Sequence, residues 1–201
     1  MFKFIFFAVL AYVMGSIPTG VIIGKKLKGI DIREHGSKNS GATNAYRVLG
    51  ARYGVMVLAA DAAKGFFPVM FADLAGIEGT LLILVGLITI IGHSLSIFLK
   101  FKGGKGVATS LGVFLYLVPQ IMLVTIGVFV IVAYFSKYVS LASVTCAALL
   151  PILTLVMPIR ESLIRVELFI MTFLIGAFVI YRHRTNISRL MNGNENKFKF
   201  K

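Results

Sequence analysis

Two lysines interleaved with three glycines, in Phe101-Lys102-Gly103-Gly104-Lys105-Gly106-Val107-Ala108-Thr109, are the strongest chemical signal in the chain. Glycine lets backbone N–H groups come close to a ligand. The apolar run that starts at Val107 predicts a helix, and a helix N-terminus offers unpaired N–H donors and partial positive charge. Two ammonium groups complete what an oxyanion or a phosphate needs. Gly106 stands where a Walker A loop requires Ser or Thr, so this is not a nucleotide P-loop.

A second donor-rich stretch is Ser37-Lys38-Asn39-Ser40-Gly41-Ala42-Thr43-Asn44, followed by Arg47. Ser37, Asn39, Ser40, Thr43 and Asn44 carry hydroxyls or amides, and Gly41 permits close backbone approach. Arg47 adds a guanidinium suited to bidentate oxyanion binding. The same residue types also form turns and helix caps, so both roles stand open.

Asp61 and Lys64 are three apart on an apolar helix and share a face. Charges inside a membrane usually turn inward and pair, so an ion pair that shapes the site is expected. His93 follows Gly92 near the end of an apolar helix and reads as a buried supporting group. Ser140 is placed to cap a helix, and Ser143, one turn deeper, to bond a carbonyl or reach a cleft. His183 and Asn186 project together if the helix before them continues.

Several chemistries are excluded. No two carboxylates lie close in these segments, against glycosidase chemistry or a two-metal centre. No G-x-S-x-G elbow occurs. Cys146 is the only cysteine, and His35, His93 and His183 are far apart, so neither a metal nor another cofactor is expected. What remains is a cationic cleft for two anionic ligands, at least one lipidic, with catalysis by positioning and charge stabilisation. A transporter or channel for organic phosphates is the alternative, since it too needs a cationic cleft among helices.

The elements that must hold these residues are membrane helices. Of 201 residues 58% are hydrophobic and 14% charged, against roughly 25% charged in a soluble domain. The mean hydropathy is +0.90. The net charge of +13 would suggest nucleic acid in a soluble protein. Here it reads as cytoplasmic loops facing anionic lipid, with no nucleic acid and no obligate protein partner indicated. The apolar segments are 4–24, 54–74, 80–99, 107–135, 139–158 and 166–181, in one membrane domain over 1–201. The first, about 31 Å as a helix, is expected to be an uncleaved span.

Segment 107–135 is too long for one span and short for two, and Pro119 sits near its middle. Charge parity decides. As two helices, with the N-terminus outside, it puts 25–53, 100–106, Lys137 and 182–201 inside. Only Lys3, Arg160 and Arg165 among the loop cations are then outside. The expectation is all-α: a polytopic integral membrane protein with seven transmembrane helices and a cytoplasmic C-terminus. The two helices cut from 107–135 would be short, leaving a polar cleft open to the cytoplasm.

In order along nearly the whole chain, seven motifs resemble the bacterial acyl-phosphate:glycerol-3-phosphate acyltransferases, the PlsY family. They are Gly15-Ser16-Ile17-Pro18, Ser37-x-Asn39-x-Gly41-Ala42-Thr43-Asn44, Asp61-x-x-Lys64-Gly65, Gly92-His93, the Lys102–Thr109 segment, Tyr138-Val139-Ser140-Leu141-Ala142-Ser143, and Arg182-His183-Arg184-x-Asn186-Ile187-x-Arg189-Leu190. Lys38 stands where the family often has Gly, and Ser96 replaces a common Pro. The resemblance implies a bacterial inner-membrane enzyme with a cytoplasmic site. It implies transfer of a fatty acyl group from acyl phosphate to the 1-hydroxyl of glycerol 3-phosphate, giving lysophosphatidic acid and phosphate. By the same resemblance Ser37, Thr43, Lys102, Gly103, Gly104 and Thr109 hold the donor's phosphate. Arg47, Lys105, Ser143, His183 and Asn186 hold glycerol 3-phosphate and the transition state, with Lys105, Ser143 and His183 catalytic. His183 and the donor's own phosphate are the two candidates for the base.

Overall fold

The computed structural model describes residues 1–198, and no strand occurs among them. Ten α-helices follow in order: α1 (Phe2–Ser16), α2 (Thr19–Lys28), α3 (Ala42–Leu49), α4 (Ala51–Leu74), α5 (Gly79–Ser94), α6 (Val107–Leu117), α7 (Pro119–Ser136), α8 (Val139–Val156), α9 (Arg165–Arg182) and α10 (Arg184–Met191). Short 3₁₀ turns lie at Ile32–Glu34 and Ile97–Leu99. Two compact units result, Met1–Leu117 and a second that begins at Val118.

Four stretches are long and apolar enough to cross a membrane: Ala51–Leu74, Gly79–Leu99, Pro119–Ser136 and Val139–Val156. The number rises to six if α1 with α2 and α9 with α10, bent by 42° and 58°, each count as one. Segment 107–135 does divide at its proline. Val118 leaves the helical path, and Pro119 opens α7, where its missing N–H costs nothing. The piece before it, α6, has 11 residues, roughly 16 Å, too short to cross a full bilayer alone.

The first apolar segment is not the single helix expected over 4–24. It breaks at Ile17–Pro18. Pro18 disfavours the α conformation at Ile17 and cannot donate to the preceding turn. Carbonyls left at such a break must find donors, because hydrocarbon supplies none. Lys64 Nζ donates to Ile17 O at 2.7 Å, and Ser96 Oγ to Ser16 O at 2.5 Å.

In the first unit α4 packs on α6, α3, α5 and α1, and α1 on α5. Glycines let backbones touch at two of these crossings. A Cβ at Gly112 would stand 1.9 Å from Ala62 O on α4, and one at Gly65 2.2 Å from Thr109 O on α6. Between α1 and α5, Gly15 faces Thr89 O and Gly92 faces Tyr12 O in the same way. Small residues at membrane-helix interfaces permit this approach. In the second unit α8 packs on α7 and α9, and α10 against both α8 and α9. Arg165 Nη1 donates to Thr154 O at 2.7 Å and Met157 O at 2.9 Å, covering carbonyls at the end of α8.

Candidate functional site

The Lys-Gly-Gly-Lys loop lies between the Ile97–Leu99 turn and α6, where the sequence places it. Its entry is strained: Lys100 and Phe101 have φ of 52° and 61°, in the left-handed region. Such non-glycine residues cost about 1–3 kcal/mol each and cluster at functional sites. Backbone bonds enforce the geometry, Phe101 N–H to Ser96 O at 2.8 Å and Lys102 N–H to Leu99 O at 3.1 Å. Lys102 is exposed and Lys105 half-buried.

Gly103 and Gly104 play a different part from the expected one. Gly103 N–H donates to Ser94 O at 3.1 Å and Gly104 N–H to His93 O at 3.3 Å. These amides therefore fix the loop on the end of α5. The charge of the loop lies on Lys102 and Lys105, just before the first turn of α6, whose N–H groups add partial positive charge. Near that turn Ser94, Thr109 and Ser110 bury their hydroxyls without a hydrogen-bond partner among the described residues. Burial of a hydroxyl without a partner costs about 1–3 kcal/mol, and two of the three, Ser94 and Ser110, lie close to Gly106 of the loop. Of the three, Thr109 is the one its motif predicts. Sequence reasoning misses Ser94 and Ser110, because an apolar run offers no signal for them.

The Ser37–Arg47 stretch is organised by Asn44, which is buried. Its Nδ2 donates to Ile32 O at 2.7 Å and Asn39 O at 2.9 Å, and its Oδ1 accepts from Ser37 N–H at 2.8 Å. Asn39 Oδ1 accepts from Gly41 N–H at 2.9 Å. Asn44 is thus engaged on both side-chain atoms within the loop, and Asn39 uses its side-chain oxygen to hold Gly41. Gly41 is the N-cap of α3 and Thr43 its second residue, with Arg47 a turn further. Ser37 is exposed, and Arg47 and Thr43 are half-buried. Lys38 has φ of 58°, which explains why glycine suits that position. Asp31 anchors the loop's start: Arg33 grips it through Nε at 3.0 Å and Nη2 at 2.6 Å, and Lys25 lies at 3.2 Å. The Arg33 guanidinium holds the Asp31 carboxyl well below the usual carboxylate range.

Asp61 and Lys64 form the expected ion pair, at 2.6 Å, with both side chains buried. More gathers on it than the sequence shows. Thr19 Oγ1 donates to Asp61 Oδ1 at 2.5 Å, and His93 Nδ1 lies 3.7 Å from the same oxygen. A path of contacts joins the two loops of this unit. Ser40 O abuts Gly20, Thr19 binds Asp61, Asp61 faces His93, and the His93 ring abuts Gly104.

In the second unit two expectations need correction. Ser140 does not cap α8; its hydroxyl donates to Glu195 Oε1 at 3.0 Å. His183 and Asn186 do not share one continuing helix, because the chain bends at His183 between α9 and α10. His183 Nδ1 contacts Val179 O at 2.8 Å. A carbonyl only accepts, so Nδ1 is the donor in that contact. Ser143 Oγ donates to Val139 O at 2.8 Å, the backbone option of the two foreseen. Ser143, His183 and Asn186 are all buried.

The residue that sequence reasoning misses in this unit is Glu195, which reads only as a loop carboxylate. It is buried and accepts from Asn186 Nδ2 at 2.7 Å, Arg189 Nε at 2.7 Å and Ser140. Burial pushes its pKa up, but the bonds from Arg189, Asn186 and Ser140 outweigh that and hold it below the ordinary value. A depressed carboxylate stabilises the fold above its unfolded pKa, about 4.3, and that contribution is lost as pH falls through the folded value. Protection factors in 184–198, taken against the intrinsic exchange rate at each pH, are therefore expected to fall as pH drops below that unfolded value. Glu195→Gln should show that lowered protection already at neutral pH. Unchanged protection in the variant would contradict the role.

The family model described as Glycerol-3-phosphate acyltransferase matches residues 5–193. A Glycerol-3-phosphate acyltransferase of Fusobacterium nucleatum is 56% identical over 197 residues, covering 98% of this chain and 99% of that one. One from Bacillus subtilis is 45% identical over 192 residues, 96% of each. Among solved structures, the integral membrane glycerol 3-phosphate acyltransferase PlsY in its glycerol 3-phosphate form superposes with a TM-score of 0.89 at 42% identity, covering 98% of this chain and 96% of that one. Its lysophosphatidic acid form gives 0.87 at 41% identity, with 98% and 95% covered.

Proposed function

We propose, from the premise that this chain belongs to the glycerol-3-phosphate acyltransferase family, that it moves a fatty acyl group from acyl phosphate to the 1-hydroxyl of glycerol 3-phosphate. The acceptor and the product, lysophosphatidic acid, follow from the family. The donor is inferred from the site. The observation that carries it is the Lys102–Lys105 loop, strained and locked on α5, with two ammonium groups beside the start of α6. A compact phosphate suits such a loop, whereas the bulky nucleotide of acyl-CoA has no segment here to receive it.

The hydroxyl oxygen attacks the acyl carbonyl carbon, the bond from that carbon to the phosphate oxygen breaks, and inorganic phosphate leaves. Ser37, Thr43, Lys102 and Thr109 serve the donor's phosphate, with Asn39, Gly41, Asn44, Gly103 and Gly104 shaping the loops that present them. Arg47 and Lys105 match the charge of glycerol 3-phosphate and of the oxyanion that develops. In the second unit Ser143, His183 and Asn186 are the buried polar side chains that the family resemblance assigns to the acceptor. The hydroxyl proton passes to His183 or to the departing phosphate. The transporter alternative finds no support in a family of acyltransferases.

The test is lysophosphatidic acid formation by purified protein in detergent, from labelled glycerol 3-phosphate. Palmitoyl phosphate should serve and palmitoyl-CoA should not, with no loss on adding EDTA. Mg²⁺ at a phosphate site usually takes protein carboxylates, and the phosphate-binding segments contain none. Comparable rates from the two donors, or activity that EDTA abolishes and Mg²⁺ restores, would overturn this reading.

Both units belong to one acyltransferase domain over 1–201, which we place in the bacterial inner membrane with seven spans. The N-terminus lies outside and the C-terminus and site in the cytoplasm, as the cation asymmetry requires. Cysteines introduced at the exposed positions Glu78 and Asn194, in a Cys146→Ser background, should react with impermeant thiol reagent from opposite sides. Labelling from one side sinks this topology.

A further inference from the structure

We infer that His93 is a positioning residue that sets the Lys102–Lys105 loop through Gly104; this rests on the reading of that loop as the anion site. The ring is buried at the last turn of α5, and one nitrogen faces Asp61. Asp61 is itself held by Thr19 from α2 and by Lys64 from the next turn of α4. The ring's place is thus fixed from two other helices.

The opposite edge of the ring bears on the loop. A Cβ at Gly104 would stand 2.2 Å from His93 Nε2 and 2.8 Å from Cε1, and the three atoms nearest to it all belong to that ring. Main-chain contacts repeat the relation, since His93 O accepts from Gly104 N–H and lies 2.0 Å from a Cβ built at Gly103. Gly104 has no left-handed φ, so glycine is needed there for space rather than for conformation. As a positioning residue His93 acts through the loop, by fixing where the lysines stand. Loss of placement by about 1 Å can lower a rate on the order of a hundredfold.

The test is a double-mutant cycle in detergent with wild type, Gly104→Ala, His93→Ala and the pair, plus His93→Asn. Gly104→Ala should lower kcat/KM for acyl phosphate about tenfold or more, because the new methyl group displaces the loop from the ring. His93→Ala should cost activity in the wild-type background and restore it in the Gly104→Ala background, since the methyl then fills the vacated space. Thermal midpoints should show the same reversal of sign. His93→Asn keeps a polar group for Asp61 but cannot reach Gly104, so it should behave as His93→Ala. Additive losses in both readouts, or wild-type kinetics in His93→Asn, would overturn the inference. A wild-type protein that forms no lysophosphatidic acid would sink the function reading instead, and the thermal cycle would still decide the contact.

Discussion

Replacing Lys105 with alanine is expected to lower the rate of lysophosphatidic acid formation on the order of tenfold to over a hundredfold, with the fold intact. The size follows from the loss of one charge-assisted bond to a developing oxyanion or phosphate, about 1.5–3 kcal/mol. The intact fold follows from how the loop is held. Its frame consists of Phe101, Lys102, Gly103 and Gly104 main-chain bonds to the end of α5 and the turn after it, with the contact to the His93 ring. These bonds are main-chain bonds, which a change of the half-buried Lys105 side chain leaves in place. Ser143→Ala should also lose activity: its hydroxyl is already oriented by Val139 O, and its lone pairs are what the acceptor can use. Steady-state kinetics on monodisperse protein with an unchanged thermal midpoint is the measurement. Wild-type turnover in well-folded Lys105→Ala would remove Lys105 from the mechanism.

The parts of this site that can be read from residues alone are those whose physics is local. Pro119 disrupts a helix interior wherever it occurs, so α6 and α7 are separable in the sequence. Asp61 and Lys64 lie one turn apart, and an apolar setting forces them together. The Lys-Gly-Gly-Lys segment announces itself by composition. What stays hidden depends on distant partners. Glu195 looks like a loop carboxylate until Ser140, 55 residues away, and Arg189 close on it. Gly103 and Gly104 read from the sequence as a ligand cradle, and their packing against the His93 ring and carbonyl is set by a partner that the local sequence does not name. The break at Ile17–Pro18 is invisible to hydropathy, which runs on through it. Its carbonyls are satisfied by Lys64 and Ser96, neither of which the local sequence can name.

Asp61→Ala is expected to destabilise the protein more than Lys105→Ala, Ser143→Ala or Glu195→Gln. Asp61 is 1% exposed and Lys64 7%. Their attraction repays the cost of burial only while both are present. Removing one partner of such a pair typically costs about 3–5 kcal/mol, because the other charge is left uncompensated. Among the described residues Lys64 would keep the Ile17 carbonyl at 2.7 Å, which cannot neutralise an ammonium. Against a total stability of about 5–15 kcal/mol, that loss lowers the thermal midpoint sharply and reduces the yield of monodisperse protein. Thr19 loses its acceptor and His93 the carboxylate it faces in the same step. Removing both charges has a different expectation. The pair Asp61→Leu with Lys64→Met discards the desolvation cost together with the attraction, and such replacements are often neutral or stabilising. The double variant should therefore unfold closer to wild type than either single variant does. It should remain catalytically impaired, because the ring of His93 has lost the carboxylate that sets its place against Gly104. Equal losses in the single and double variants would show that the pair's role is packing rather than charge. A wild-type midpoint in Asp61→Ala would show that Lys64 finds another counter-charge or escapes to solvent.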